Sequence, residues 1–131
     1  MHHYSIKMCR GDTFQSDYFK IYDDSIPDTL SVQELDEAVA NGTYKIINVS
    51  DLTITGMARS GYDGLKIFDL DIIKESDRFY FEITPTKTTP LNGGSQTLVY
   101  DIQVKDADGI VTTLINGTIT VMPDATTEHV L

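Results

Sequence analysis

The chain has no tryptophan, one cysteine and three histidines, and each scarcity excludes something. A single thiol, Cys9, cannot close an intrachain disulfide, so stability has to come from burial. Residues 4–9 alternate like a strand, a setting in which Cys9 reads as a small buried side chain rather than a reactive nucleophile. The histidines are His2, His3 and His129, all near the ends. The body of the chain therefore lacks the commonest general base and the commonest metal ligand. No Ser-His-Asp or Cys-His arrangement, no cofactor and no metal are expected from it. Nothing approaches the ~18 consecutive apolar residues of a membrane span. The opening Met-His-His-Tyr-Ser-Ile-Lys has neither an apolar core nor a small-residue cleavage site, so the expectation is folding in the cytoplasm, away from membranes. Positive charge is also scarce. Ten Lys and Arg face twenty Asp and Glu for a net charge of −10. No two basic residues are adjacent, whereas a phosphate footprint clusters them, so nucleic acid is not an expected partner.

What the chain has in quantity is β pattern. In residues 97–105, Leu98, Tyr100, Ile102 and Val104 fall on one side and Val99, Asp101, Gln103 and Lys105 on the other, a strand with one wet face. Asp108-Gly109 supplies a turn, since glycine takes the positive φ a tight hairpin needs and aspartate tolerates it. A second β-branched run follows over residues 110–122. Pro123 closes it, having no amide hydrogen to give.

Upstream, residues 4–9 and 13–22 read as strands around an Arg10-Gly11-Asp12 turn; that triplet has an adequate job as a turn and is not taken as an integrin motif. Residues 23–28 read as a loop. Ser31-Val-Gln-Glu34 has capping-box spacing, so a short helix is expected near residues 31–41. Val32, Leu35, Ala38 and Val39 form its apolar stripe and Asn41-Gly42 its end. Residues 44–49 and 52–59 read as strands, with Gly56 marking a bulge or a close approach. Residues 65–73 and 78–84 follow, the latter placing Phe79, Phe81 and Ile83 inward. Residues 85–96, rich in proline, glycine and threonine, read as an irregular crossover between sheets. About seven short strands with turn signals between them predict an all-β fold, an antiparallel immunoglobulin-like β-sandwich with one short helix; a barrel is the alternative. Residues 1–123 form one domain in this reading, and 124–131 a C-terminal tail or arm.

Carboxylates are plentiful but unfocused. Asp69 and Asp71 project from one side of a strand, which reads first as a solvated face, with cation binding and catalysis as alternatives. Asp106-Ala-Asp108-Gly109 lacks the later ligands of a calcium loop. Asn92-Gly93-Gly94 follows no strand and is not a phosphate loop. The sequons at Asn41, Asn48 and Asn116 read as chance products of a Thr- and Asn-rich β chain. Tyr62, beside Gly61 and Asp63, could stack a sugar, which keeps a carbohydrate- or receptor-binding module open as an alternative function.

Arg10-Gly-Asp-Thr-Phe14, together with the run from Val99-Tyr-Asp-Ile-Gln-Val-Lys105 through Asp108-Gly109 to Met122-Pro-Asp124, resembles a loosely defined group of small tailed-bacteriophage virion proteins with an immunoglobulin-like β-sandwich. The likeness covers residues 1–22 and 97–131; the middle matches in strand pattern only, and the helix of residues 31–42 departs from the compact form. The resemblance implies a non-enzymatic virion protein on the exterior of a capsid, neck or tail, or a baseplate adaptor. Its partners would be other phage structural proteins or copies of itself, and no catalytic residue carries over. The acidity fits an exterior position, because packaged DNA repels it. Candidate partner-contacting residues are Met1 and Tyr4, Val32 and Leu35 of the helix, Tyr62, Leu91 in the Thr-rich loop, and Val130 and Leu131 at the tip of the arm.

Overall fold

A computed structural model of the chain describes residues 2–22, 29–61, 64–91 and 94–123. The fold is all-β. In chain order the elements are β1 (His2–His3), β2 (Ile6–Cys9), β3 (Phe14–Gln15), α1 (Val32–Ala40), β4 (Thr53–Arg59), β5 (Lys66–Glu75), β6 (Arg78–Ile83), a single helical turn α2 (Pro85–Thr88), β7 (Gln96–Lys105) and β8 (Val111–Met122). The strands bond in the order β1–β8–β7–β4–β5–β6–β3, with β2 also on β8.

The long strand β5 belongs to both halves of that order. Its first half pairs with β4, up to Leu70 opposite Gly56, and its second half, from Asp71 opposite Glu82, pairs with β6. Side chains then close the space between the halves. The Phe81 ring of β6 lies 5.7 Å from the Tyr100 ring of β7, and Phe79, Phe81 and Ile83 join Leu98, Ile102, Ile115 and Ile119 in one buried cluster. The apolar faces of the two halves, referred to below as the larger and the smaller layer, thus meet in one core, as the period-two pattern of an all-β fold requires.

Every strand but one pairing family is antiparallel. β1 and β2 run parallel to β8, with His3 beside Asn116 and Ile6 beside Ile119, so the sheet is mixed rather than purely antiparallel. Between β1 and β2 the chain presses onto Gly117: a Cβ there would lie 2.1 Å from the Tyr4 carbonyl oxygen. Only glycine admits that approach. The Tyr4 amide donates to the Asn116 carbonyl (3.0 Å), and the Tyr100 hydroxyl donates to the Tyr4 carbonyl.

Two segments read from sequence as strands are mostly something else. In residues 13–22 only Phe14 and Gln15 hold a ladder, because Ser16 interrupts it: the buried Ser16 hydroxyl takes the place of a backbone carbonyl and accepts from the Phe81 amide at 2.9 Å. Short polar side chains compete with ladders in this way. Pairing returns only as isolated bridges, from Phe19 to Phe79 and from Tyr22 to Ile46. In residues 44–49, Ile46 bridges Tyr22, and Asn48 then accepts from the Ser50 amide (2.9 Å), winding Val49–Asp51 into a 3-10 turn with Val49 fully buried. Cys9 is half-buried rather than buried.

The crossover of residues 85–96 contains the α2 turn, started by Pro85 at its first position. It does link the two layers, and it is tied to the Arg10-Gly11-Asp12 turn. The Arg10 guanidinium donates to the Leu91 carbonyl (2.7 Å), and the Gly11 amide donates to the buried Thr88 hydroxyl (2.9 Å). The β7–β8 turn is longer than two residues. The Asp106 carboxylate accepts from the Asp108 and Ile110 amides, and Gly109 alone takes positive φ (83°). Gly56 is a close approach and not a bulge: its Cβ position is filled by Leu70 and Ile102, and the β4–β5 irregularity falls between Ala58 and Arg59. No helix among the described residues is long and apolar enough to cross a membrane.

Candidate functional site

The expected capping box forms. The Glu34 amide donates to the Ser31 hydroxyl (3.1 Å), the Ser31 amide donates to the Glu34 carboxylate (3.4 Å), and Gly42 closes the helix at φ 85°. The helix rests on the body only loosely. Leu35, Ala38 and Val39 are half-buried, whereas Val32 is 78% exposed and no α1 residue is buried. Val32 is thus a surface residue and Leu35 a partly covered one. Tyr4 and Leu91 sit differently from a free contact surface. The Tyr4 ring stands edge-on to Phe19 and Phe81 (5.3 and 6.2 Å), and Leu91 packs against the core. Met1, Tyr62, Val130, Leu131, the loop of residues 23–28, Asn92-Gly93 and the arm of residues 124–131 lie outside the described residues.

Exposed apolar side chains concentrate at two places that the alternation did not single out. Leu65, 83% exposed, and Ile67 precede and enter β5 beside Arg59. Ile110 and Val111, 61% and 55% exposed, enter β8 beside Lys105. Because Thr53 of β4 pairs with Lys105 and Arg59 with Val99, these two pairs occupy opposite ends of the larger layer.

The outer face of the smaller layer carries a clamp. The Arg78 guanidinium lies 3.9 Å above the Tyr18 ring, Tyr18 stands edge-on to Tyr80 (5.1 Å), and Arg78 pairs with Glu75 (3.3 Å). The hydrogen bond between Tyr18 and Glu75 is the main reason the Tyr18 hydroxyl titrates above its ordinary value. The clamp fastens the irregular segment after Ser16 to β6.

Asp69 and Asp71 do share a side of β5, but the strand's passage between layers separates their work. Asp69 pairs with Lys66 (3.2 Å) and Asp71 with Lys87 (3.9 Å). Among the described residues no group of three or more His, Cys, Asp or Glu converges to hold a metal.

The outer face of the larger layer holds a concavity of about 230 Å³, lined by Met57 and Arg59 of β4, Val99, Tyr100 and Asp101 of β7, and Thr113 and Asn116 of β8. Register assembles it: Met57 is opposite Asp101, Arg59 opposite Val99, and Asp101 opposite Asn116. A bulge in β8, where Gln103 pairs with Thr113 instead of Leu114, brings Thr113 to its rim. These residues were legible only as the wet face of three strands; the one hint was two large apolar side chains, Met57 and Val99, among polar neighbours. Compared with known proteins, the chain matches no family model and no curated sequence.

Proposed function

We propose that this protein is a structural building block of a bacteriophage virion, assembling with copies of itself or with other capsid, neck or tail subunits on the particle's exterior. The observation that carries the reading is the placement of two exposed apolar pairs, Leu65 with Ile67 and Ile110 with Val111, at opposite ends of one rigid layer. Apolar surface left in water is a cost that association removes. Different patches at opposite ends make a head-to-tail contact, which repeats into rings or stacks rather than closing as a two-fold pair. The net charge of −10 supports a position away from packaged DNA. It also sets a condition, since like-charged copies approach more readily as salt screens them.

Light scattering on the size-fractionated protein at physiological salt tests the assembly. An oligomer whose mass rises with concentration is expected. Leu65→Glu and the double variant Ile110→Asp with Val111→Asp each reduce it to a monomer, and mixing the two variants restores a dimer, because each retains one intact end. Co-sedimentation with phage capsids or tails tests the location. A protein that stays monomeric at every concentration and binds neither particle refutes the proposal.

A further inference from the structure

The concavity on the larger layer contains an unusual combination for a strand face. Arg59 and Asp101 carry opposite charges, yet neither side chain makes a hydrogen bond or ion pair among the described residues. They are diagonal neighbours, since Arg59 faces Val99 and Asp101 lies two residues further along β7. Diagonal positions on a sheet are ~7–8 Å apart, a span that long side chains could close. Here they leave a gap, and the concavity occupies it. At its far side Asn116 completes the lining. The floor between the polar groups is Met57 and Val99, both half-buried and apolar.

We propose that this concavity binds a small zwitterion, an α-amino acid with an aliphatic side chain. The complementarity is one of charge and of shape. A carboxylate meets the guanidinium of Arg59, whose planar fork offers two parallel donors. An ammonium group meets the Asp101 carboxylate, completing the opposite end of the zwitterion. The aliphatic side chain covers Met57 and Val99. A volume of about 230 Å³ is too small for a folded partner's loop and suits a ligand of this size. A ligand of one charge only would leave the second charged side chain of the site unmatched. The site shares no side chain with the apolar ends invoked for assembly.

Titration of the isotope-labelled protein with L-leucine, followed by amide NMR, provides the test. Saturable shifts are expected at Met57, Arg59, Val99, Asp101 and Asn116, with a dissociation constant of ~1 mM, the weak range appropriate to so few ligand atoms. Leucinamide, which lacks the carboxylate, and N-acetyl-leucine, which lacks the ammonium, bind at least tenfold more weakly. In Arg59→Gln the preference for leucine over leucinamide disappears. In Asp101→Asn the preference over N-acetyl-leucine disappears. Both side chains point outward, so unchanged spectra away from the site report that the variants fold; the analogue series on the unaltered protein stands even where a variant fails. Absence of saturable shifts with leucine, or equal binding of leucine and either analogue, overturns the proposal.

Discussion

Replacing Gly117 by alanine tests how the N-terminal strand is held. The added Cβ would lie 2.1 Å from the Tyr4 oxygen, 2.8 Å from its carbonyl carbon and 3.1 Å from the Tyr100 ring. The first two are backbone atoms, which cannot swing aside as the end of a long side chain can. Relief requires the chain at Tyr4 to retreat from β8 by more than an ångström. That retreat breaks the bond from the Tyr4 amide to Asn116 and the bond from the Tyr100 hydroxyl to the Tyr4 carbonyl. Each is worth about 1 kcal/mol net, and the Tyr100 oxygen is left in a buried setting where an unmade bond costs more. Partial withdrawal of the Tyr4 ring from Phe19 and Phe81 adds about 1 kcal/mol. Against this, alanine in a strand recovers about 0.5–1 kcal/mol of backbone entropy relative to glycine. The net expectation is a loss of about 2–4 kcal/mol, seen as a lower urea midpoint and a fall in Tm of about 8–16 °C. Hydrogen exchange should show the amides of β2 losing protection before those of β7. In a chain shortened to begin at Ser5 the same substitution should cost far less, because the two backbone atoms it strikes are gone and only the Tyr100 ring has to give by a few tenths of an ångström. A full-length Gly117→Ala protein with unchanged Tm refutes the argument, as does an equal loss in the shortened chain.

Ser16→Ala leaves the Phe81 amide buried without its acceptor and should destabilise by about 1–3 kcal/mol, measured by urea unfolding; Ser16→Ala as stable as the unaltered protein would mean that water takes the hydroxyl's place. Phe81→Ala removes a fully buried ring that touches Tyr4, Phe14, Phe19 and Tyr100, and a loss of about 3–5 kcal/mol is expected in the same assay. Alkali should also unfold the protein through Tyr100. Burial, reinforced by neighbouring Tyr4, raises its hydroxyl far above the ordinary 10.0, so the folded state keeps a proton that the unfolded state surrenders. Its contribution is intact below pH 10 and falls by about 1.4 kcal/mol for each pH unit above it, up to the folded pKa. Tyr100→Phe should therefore be less stable at pH 8, having lost the bond to Tyr4, yet show a shallower decline of the urea midpoint between pH 10 and 11.

The alternation of residues 97–105 placed four core side chains correctly because both neighbours of β7 are long strands, and nothing there competes with the ladder. The same reasoning failed at residues 13–22, where the apolar pattern is equally suggestive. There a single hydroxyl outcompeted a carbonyl, a choice settled only once Phe81 had arrived from a distant part of the chain. The capping box of α1 was legible because every atom it needs lies within three residues of Ser31. How little that helix would be covered was not, since coverage depends on what the body offers and not on the helix's own stripe. The parallel docking of β1 and β2 on β8 left one trace, Gly117 in an otherwise β-branched run, whose meaning needs the Tyr4 carbonyl to be seen. The concavity left less still. Arg59 and Asp101 are forty-two positions apart in sequence, and only the β4–β7 register makes them diagonal neighbours.

That register also explains how this domain could hold two separate binding roles. Along β4, β7 and β8 the inward positions Ile54, Ala58, Tyr100, Ile102 and Ile115 are buried in one cluster, while the concavity is lined by outward positions between them together with Tyr100. Substitution at an outward position leaves the packing of its inward neighbours in place, because successive side chains leave a strand on opposite faces. The apolar pairs at the two ends of the layer share no side chain with the concavity, although Lys66, between Leu65 and Ile67, is opposite Arg59. Only perturbations more than about 7–10 Å apart without shared partners add independently, and of the two charged residues Asp101 is the one that is not a cross-strand neighbour of either pair. Asp101→Asn should consequently weaken leucine binding without lowering the oligomer's mass, and Ile110→Asp with Val111→Asp should do the reverse. A single variant that abolished both would mean that copies of the protein complete the concavity at their contact, tying the two roles to one interface.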